Sequence, residues 1–362
     1  MKASRNDFLV VIIGPSAEVI SGSLLRPINI YYSLRDLRGL KVKYISVKKL
    51  SDLLPQLFPI LYADMVIASG VNPWISALVT LWRKISRKMV IVDFHGFAWI
   101  EVNATNVAGF PMKMLLLVSE RVSYKLSWYV IMASKWLANA LAHYFGERRG
   151  VFVIENAVPY IFEEVVHKLV EKYDPNTLRK YICEKVLCRG DCFSKPLLIA
   201  PLPTVFRSNI LAYEELLRLS QSLGENVLIA VTGIKTNTFS VSSNIVLTGY
   251  TSYVNYVGLL LSSDSVILPY PMNAICGGVR NKVLEAGFCK KPVISTKAGM
   301  MHLNASPNIH YVPISIEAVF QELRKELLKE IAEKLNTLIS KRYSFILFKK
   351  SLLKLVKSII RG

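Results

Sequence analysis

Two successive α/β units, each a parallel β-sheet covered by helices, with a cleft between them, are the architecture this sequence predicts. Three observations predict it. Short apolar runs alternate with longer amphipathic ones along most of the chain. The alternation stops over residues 157–195 and then resumes. With 362 residues the chain is long enough for two full cores. Strands that alternate with helices across short loops make a parallel sheet, because each crossover helix returns the chain to the same edge.

The elements follow in order. DFLVVIIG reads as a strand and SLLRPINIYYSLRDLRG as a helix ending at Gly39. KVKYISV is a strand, LSDLLPQLFPILY a proline-broken helix, ADMVIAS a strand, and NPWISALVTLWRKISR a helix with its proline near the first turn. MVIVDFHG, WYVIMAS and GVFVIENAV are further strands, separated by the helices PMKMLLLVSERVSYKLS and KWLANALAHYFG. Residues 1–156 are thus expected to form an N-terminal Rossmann-like α/β domain. Residues 157–195, charged and cysteine-bearing, read as a linker with an inserted helix or two. Residues 196–340 form the second domain, with strands LLIAP, NVLIAVTG, NIVLTGY, DSVILPYP, PVIS and IHYVPIS and helices ILAYEELLRLSQSLG, YVNYVGLLLSS and the run after Gly278. From 315 to 362 the pattern is helical throughout. Its end, 341–362, is a basic amphipathic helix with Phe345, Phe348, Leu352, Leu355 and Ile359 on one face. Lys341, Arg342, Lys349, Lys350, Lys354, Lys357 and Arg361 carry its positive charge with no acid among them.

Composition narrows the function. A hydrophobic fraction of 52% with 20% charged residues is globular rather than disordered. A net charge of +19 suits nucleic acid, an anionic membrane surface or an anionic small substrate. No Arg/Gly-rich tract, zinc-finger spacing or RNP-type aromatic motif occurs, so no nucleic-acid partner is expected. The start MKASRNDFLVVIIGPSAE resembles a signal peptide in charge and then hydropathy. Asp7 interrupts it and Gly14-Pro15 follow at once, so a first buried strand fits better. No uncharged run approaches the ~20 residues that span a bilayer. The expected location is cytoplasmic, with peripheral contact to the cytoplasmic membrane face. A second basic cluster, Arg83, Lys84, Arg87 and Lys88, follows Trp82 and is the pattern of an interfacial contact. Cys183, Cys188 and Cys192 are an incomplete zinc set, free thiols, or one disulfide with a thiol left over. Glutamine is scarce, Gln56, Gln221 and Gln321 being the instances, as in thermophile proteins.

The stretch GGVRNKVLEAGFCKKPVIST, residues 277–296, carries the chemistry. A helix entered through glycines offers free N–H groups and partial positive charge to an anion. Arg280 and Lys282 at that point suggest phosphate. Glu285, one turn further, suggests hydroxyls, because an ionised carboxylate only accepts hydrogen bonds. Phosphate with hydroxyls describes a nucleotide. The strand ILPYP, the glycine-rich turn, the KVLEA helix and PVIST resemble the nucleotide-sugar glycosyltransferases of GT-B architecture, closest to glycosyltransferase family 4, and imply two Rossmann-like domains.

What the resemblance implies for residues is specific. Glu285 falls on the family's second glutamate, which holds ribose hydroxyls. The first glutamate falls on Gly277, a departure at the donor-sugar position, and the helix-ending glycine falls on Lys290. In LLIAPLPTVFRSN the family's lysine falls on Arg207 and its arginine on Leu202. TGY, ending at Tyr250, resembles the turn that frames the base, and ENAVP the turn before the linker. The expected catalytic residues are His95, Lys282 and Arg207. His95 follows a strand, two residues after Asp93, where it would contact the donor sugar, act as base or serve structurally. The expected nucleotide-sugar ligands are Gly14, Gly277, Gly278, Arg280, Glu285 and Tyr250. Glu101 and Glu120 are weaker acceptor-side bases. No Asp-x-Asp motif occurs, so no metal and no other cofactor is expected, and cations with helix N-termini would stabilise the leaving diphosphate. The expected function is transfer of a sugar from a nucleoside diphosphate sugar donor to a glycan or lipid-linked acceptor hydroxyl. A GT-B-fold UDP-sugar epimerase or hydrolase, and a catalytically silent sugar-nucleotide-binding scaffold, are the alternatives.

Overall fold

The computed structural model describes residues 8–16, 22–203, 207–234, 241–314 and 325–361. The chain divides into two units: Met1–Tyr160 with Cys276–Val279 and Phe345–Gly362, and Ile161–Ile275 with Arg280–Ser344.

The sheet of the first unit contains β1 (Phe8–Gly14), β2 (Leu40–Ser46), β3 (Met65–Ser69), β4 (Met89–Phe94), β5 (Tyr129–Met132) and β6 (Val151–Val153). Their order is β2-β1-β3-β4-β5-β6, every pair parallel. Around it lie α1 (Gly22–Leu34), α2 (Leu57–Tyr62), α3 (Pro73–Ile85), α4 (Ala98–Thr105), α5 (Phe110–Leu126) and α6 (Lys135–Phe145). Side chains alternate faces along a strand. Val11, Ile13, Val66 and Val90 therefore pack on the side of α3, α5 and α6. Val10, Ile12, Ile67 and Ile91 pack on the opposite side. That second core is closed by Ile30 and Leu34 of α1 and by Phe348, Leu352, Leu355 and Ile359 of the C-terminal helix. The apolar face of the basic tail is thus core of this unit, and its lysines lie outside it.

Arg83 departs from the surface role its sequence context suggests. It is 0% exposed. Its guanidinium donates to the carbonyls of Ile60, Leu61, Ala63, Asp64 and Met89, tying the end of α2 to the start of β4. Basic residues in a run such as WRKISRK read as solvated. Here a cluster of unpaired carbonyls at helix and strand termini supplies enough acceptors to hold a buried guanidinium.

The second unit begins with α7 (Tyr160–Lys172) and α8 (Pro175–Tyr181), the latter capped by the Asp174 carboxylate, which accepts from Asn176 N and Thr177 N. A π-helical turn over Ile182–Leu187 follows. Cys183 and Cys192 form a disulfide across a Cα–Cα distance of 5.7 Å, while Cys188 is exposed as a thiol. Among the described residues no group of three or more His, Cys, Asp or Glu could hold a metal ion. The segment read as a linker is therefore helical and part of this unit from residue 161 on.

Its sheet contains β7 (Leu197–Pro201), β8 (Leu228–Thr232), β9 (Ile245–Gly249), β10 (Ser265–Leu268), β11 (Val293–Ser295) and β12 (Val312–Pro313), in the order β12-β11-β10-β7-β8-β9, all parallel. The accompanying helices are α9 (Arg207–Leu223), α10 (Tyr253–Ser262), α11 (Asn281–Phe288) and α12 (Lys325–Arg342). After α11 the chain turns at Lys290, which holds φ 53°, the left-handed conformation that favours glycine. Of the tail read as continuous helix, 315–324 lie outside the described residues, and Tyr343-Ser344 separate α12 from α13 (Phe345–Arg361). In each sheet the strand order reverses once, beside β1 in the first and between β7 and β10 in the second. Ligands of open parallel sheets bind beyond the carboxyl ends of strands at such reversals.

Candidate functional site

In the second unit the reversal is occupied by Lys282. It stands in the first turn of α11, and its ammonium reaches back to the ends of β7 and β10. It donates to the Pro201 carbonyl, to Tyr270 OH at 2.6 Å and to Asn209 Oδ1 at 3.1 Å. Tyr270 OH donates to Asn209 Oδ1 at 2.5 Å, and Asn209 Nδ2 to the Pro203 carbonyl at 2.6 Å. Neutral oxygens thus fix the position of a cation at the point where a parallel sheet takes an anionic ligand. Arg280, the residue preceding α11, lies 3.7 Å from the centroid of the Tyr270 ring and donates to the Ala274 carbonyl. One tyrosine therefore organises both cations.

Glu285 follows Lys282 by three residues on the same helix. It is 3% exposed, and its Oε2 accepts from Tyr256 OH of α10 at 2.5 Å. Burial pushes its carboxyl up to about 7, against the smaller downward pull of the Tyr256 hydrogen bond and the Lys282 charge. Arg207 and Tyr250 are not drawn into this cluster. Arg207 opens α9 with its side chain 3.7 Å from Glu214, an exposed pair. Tyr250 follows β9 and is 38% exposed.

In the first unit the strand ends carry a different cluster. Asp93 on β4 is buried and takes two hydrogen bonds from the Arg26 guanidinium at 3.0 and 2.8 Å through Oδ1. Ser69 Oγ, at the end of β3, donates to Asp93 Oδ2 at 2.6 Å. His95 Nε2 lies 2.8 Å from that same Oδ2 and 3.0 Å from Ser69 Oγ, and the ring is partly exposed. Burial alone would raise Asp93. The charges of Arg26 and His95 and their hydrogen bonds outweigh it and hold the carboxylate well below its usual range. Arg26 also donates to Asn156 Oδ1 at 3.0 Å and to the Ile154 carbonyl at 2.8 Å, so the ENAVP turn belongs to the same network.

The two glycines of the 277–296 stretch sit in this unit. Ser134 Oγ donates to the Gly277 carbonyl at 2.6 Å, and Asn156 Nδ2 to the Val279 carbonyl at 2.8 Å. A Cβ on Gly277 would strike the Gly96 and His95 backbone, and one on Gly278 would come within 2.9 Å of the Ala133 Cβ. Close backbone approach accounts for both glycines. Gly14 ends β1 beneath the Tyr44 ring, whose hydroxyl donates to the Pro15 carbonyl at 3.1 Å. Glu120 is buried and accepts from Ala98 N at 2.7 Å and Trp99 N at 3.1 Å, capping α4. Burial pushes its carboxyl up to about 8. Sequence reading missed Tyr270, Asn209, Tyr256, Ser69 and Arg26. The neutral ones sit in apolar or helical runs that look like core; Asn209, two residues after Arg207, and Tyr270, in ILPYP, stood in quoted motifs without being singled out.

The sequence matches no protein-family model and no curated protein. Solved structures do match in fold. HepE from Anabaena in complex with UDP-glucose is 13% identical, with a TM-score of 0.67 over 97% of this chain and 99% of that one. Sucrose-phosphate synthase from Thermosynechococcus elongatus is 11% identical, with a TM-score of 0.68 over 98% and 99%. UDP-GlcNAc 2-epimerase from Neisseria meningitidis bound to UDP-GlcNAc is 13% identical, with a TM-score of 0.59 over 98% and 100%. With its two six-stranded parallel sheets and these likenesses, the chain has the GT-B fold of two Rossmann-like domains.

Proposed function

We propose that the protein is a glycosyltransferase of hexosyltransferase type that moves a sugar from a nucleoside diphosphate sugar to the hydroxyl of a glycan or lipid-linked acceptor. The observation that supports it most is the Lys282 ammonium, held at the β7/β10 reversal by Pro201, Asn209 and Tyr270, with Arg280 stacked on the Tyr270 ring. In this reading the acceptor oxygen bonds to the anomeric carbon, the bond from that carbon to the diphosphate oxygen breaks, and the diphosphate leaves with the electron pair. Lys282 stabilises the charge that develops on it. Glu285, ionised on binding, accepts from the ribose hydroxyls. Tyr250 frames the base, and Arg207 and Arg280 assist the phosphates. His95, oriented by Asp93 and Ser69, contacts the donor sugar or takes the acceptor proton. With no Asp-x-Asp carboxylates to hold a metal diphosphate, turnover is expected to survive EDTA.

The test is incubation with a panel of radiolabelled nucleotide sugars, UDP-sugars first, with and without lipid extract and with and without EDTA. Transfer of label to an acceptor supports the reading. Release of an epimer or free sugar, with no transfer, overturns it in favour of an epimerase or hydrolase. That second reading is favoured by the likeness to a UDP-GlcNAc 2-epimerase along the whole chain. Loss of turnover in chelator, restored by Mn²⁺ or Mg²⁺, overturns the metal-free mechanism.

A further inference from the structure

The first half of α5 is apolar on the outside. Phe110 is 75% exposed, and Met112, Met114, Leu115 and Val118 are exposed with it. Scattered apolar residues on a surface are ordinary, but five on successive turns of one helix are a patch. α3 and α5 pack on the same face of the parallel sheet, and both run back from strand ends. Ser123, late in α5, meets Ser76 in the first turn of α3 at 3.2 Å. The turns from Phe110 to Val118 precede that contact; Leu116 is buried there, while the five apolar side chains are turned outward.

The exposed charges carried by α3, α5 and the turn after α3 have one sign, although the exposed acids Asp64 and Glu147 lie beside the two helices. Arg121 and Lys125 are exposed on α5, and Lys84, Arg87 and Lys88 are exposed at the end of α3 and in the turn after it. Lys84 lies over the Trp128 ring, 5.7 Å from its centroid, which brings the end of α3 beside the end of α5. Residues 73–88 contain no acid, and the single acid of 110–126, Glu120, is buried against α4. An apolar end flanked by cations matches a leaflet whose interior is apolar and whose surface is anionic. A second copy of this chain, itself carrying a net charge of +19, is a poor electrostatic match for that face.

We propose that the outer face of α5, with the end of α3, docks the protein on an anionic lipid surface, Phe110 and Leu115 entering the leaflet and Lys84, Arg87, Lys88, Arg121 and Lys125 meeting headgroups. This deepens the reading of a lipid-linked acceptor by naming the face, and rests on that reading only for the link between docking and activity. Among the described residues no helix is long and apolar enough to cross a membrane, so contact by this face is at the surface.

The test is flotation of the full chain with phosphatidylcholine vesicles, with and without phosphatidylglycerol. Binding is expected to the anionic vesicles and to weaken in high salt. The double variant Phe110→Ser/Leu115→Ser should partition about tenfold less or weaker still. Each cation contributes about fivefold, so Lys84→Gln/Arg87→Gln/Lys88→Gln should partition about 100-fold less. Thermal melts and UDP calorimetry run beside each variant are expected unchanged, showing that fold and nucleotide binding persist. Wild-type protein that stays off anionic vesicles overturns the proposal, as does flotation unaltered by both variants. A concentration-dependent dimer that Phe110→Ser/Leu115→Ser abolishes, without vesicle binding, overturns it in favour of a second copy. UDP binding without flotation sinks only the docking face, whereas flotation without UDP binding sinks only the sugar-nucleotide reading.

Discussion

Asp93 in the first unit and Glu285 in the second invite comparison. Each is a buried carboxyl near the carboxyl edge of a six-stranded parallel sheet, and each accepts a hydroxyl, from Ser69 or from Tyr256. They titrate in opposite directions. Asp93 has a guanidinium in direct two-nitrogen contact, and that charge overcomes the burial cost. Glu285 has a phenol and a lysine that acts only at a distance, so burial wins and its carboxyl rises to about 7. Burial alone does not decide the charge of a carboxyl; the nearest cation does. Asp93 is therefore a permanent anion that orients His95. Glu285 is close to changing charge at neutral pH.

The largest effect expected is on the permanent anion. Arg26→Met leaves Asp93 buried and uncompensated and should cost about 3–5 kcal/mol in urea unfolding, with Asp93→Leu added to it recovering most of the loss. A cost below about 1 kcal/mol would erase the contrast between the two carboxyls. Next comes Lys282→Ala. Loss of one preorganised donor at a leaving group should lower turnover about 100-fold or more while donor affinity falls much less, in steady-state kinetics with calorimetry. Equal losses in both would make Lys282 a simple binding residue.

Glu285→Ala should weaken binding of nucleoside diphosphate about 10- to 150-fold, a loss of roughly 1.5–3 kcal/mol. The nucleoside without phosphates should lose as much on Glu285→Ala and almost nothing on Lys282→Ala. Indifference of both ligands to Glu285 would return α11 to a purely structural role.

The pH dependence of stability sharpens the comparison further. Glu285 and Glu120 are raised in the folded protein, to about 7 and about 8, from 4.5. Between those values the folded chain keeps protons that the unfolded chain has lost. Their contribution is thus complete below 4.5 and is lost as pH rises through 7 and 8. Asp93 has the opposite sign, its contribution being lost only as pH falls below 3.8. The melting temperature should fall from pH 5 to pH 8, and Glu285→Gln with Glu120→Gln should flatten that fall. A flat wild-type profile would contradict the raised carboxyls. The smallest effect is expected at Lys84, Arg87 and Lys88, where glutamine should change stability within about 0.5 kcal/mol. Arg83→Gln, read from sequence as one of the same cluster, should be clearly destabilising by the same melt.

Much of this was legible in the residues. Apolar runs such as LVVII and LLIA mark buried parallel strands because a strand covered on both faces has no solvent side. The 3.6-residue spacing of Phe345, Phe348, Leu352, Leu355 and Ile359 announced a buried helix face, and that face closes the core opposite α3 and α5. The helix that bears Lys282 and Glu285 was readable because an apolar run of helical spacing follows a glycine-rich turn, and it forms over Asn281–Phe288. Arg83 was not readable, since nothing in WRKISRK distinguishes the arginine that finds five carbonyls from those that find water.

What the sequence determined by itself was therefore periodic: two α/β units, the faces of their helices, and the helix that bears Lys282 and Glu285. The tertiary structure decided whatever depends on neighbours distant in the chain. It chose Cys192 over Cys188 as the partner of Cys183, placed Gly277 against Gly96, and set the charge of each buried carboxyl. Periodicity is a local property and survives in one dimension. The charge of Asp93 rests on Arg26, 67 residues away, and that of Glu285 on burial that the Tyr256 hydrogen bond and the Lys282 charge only partly offset.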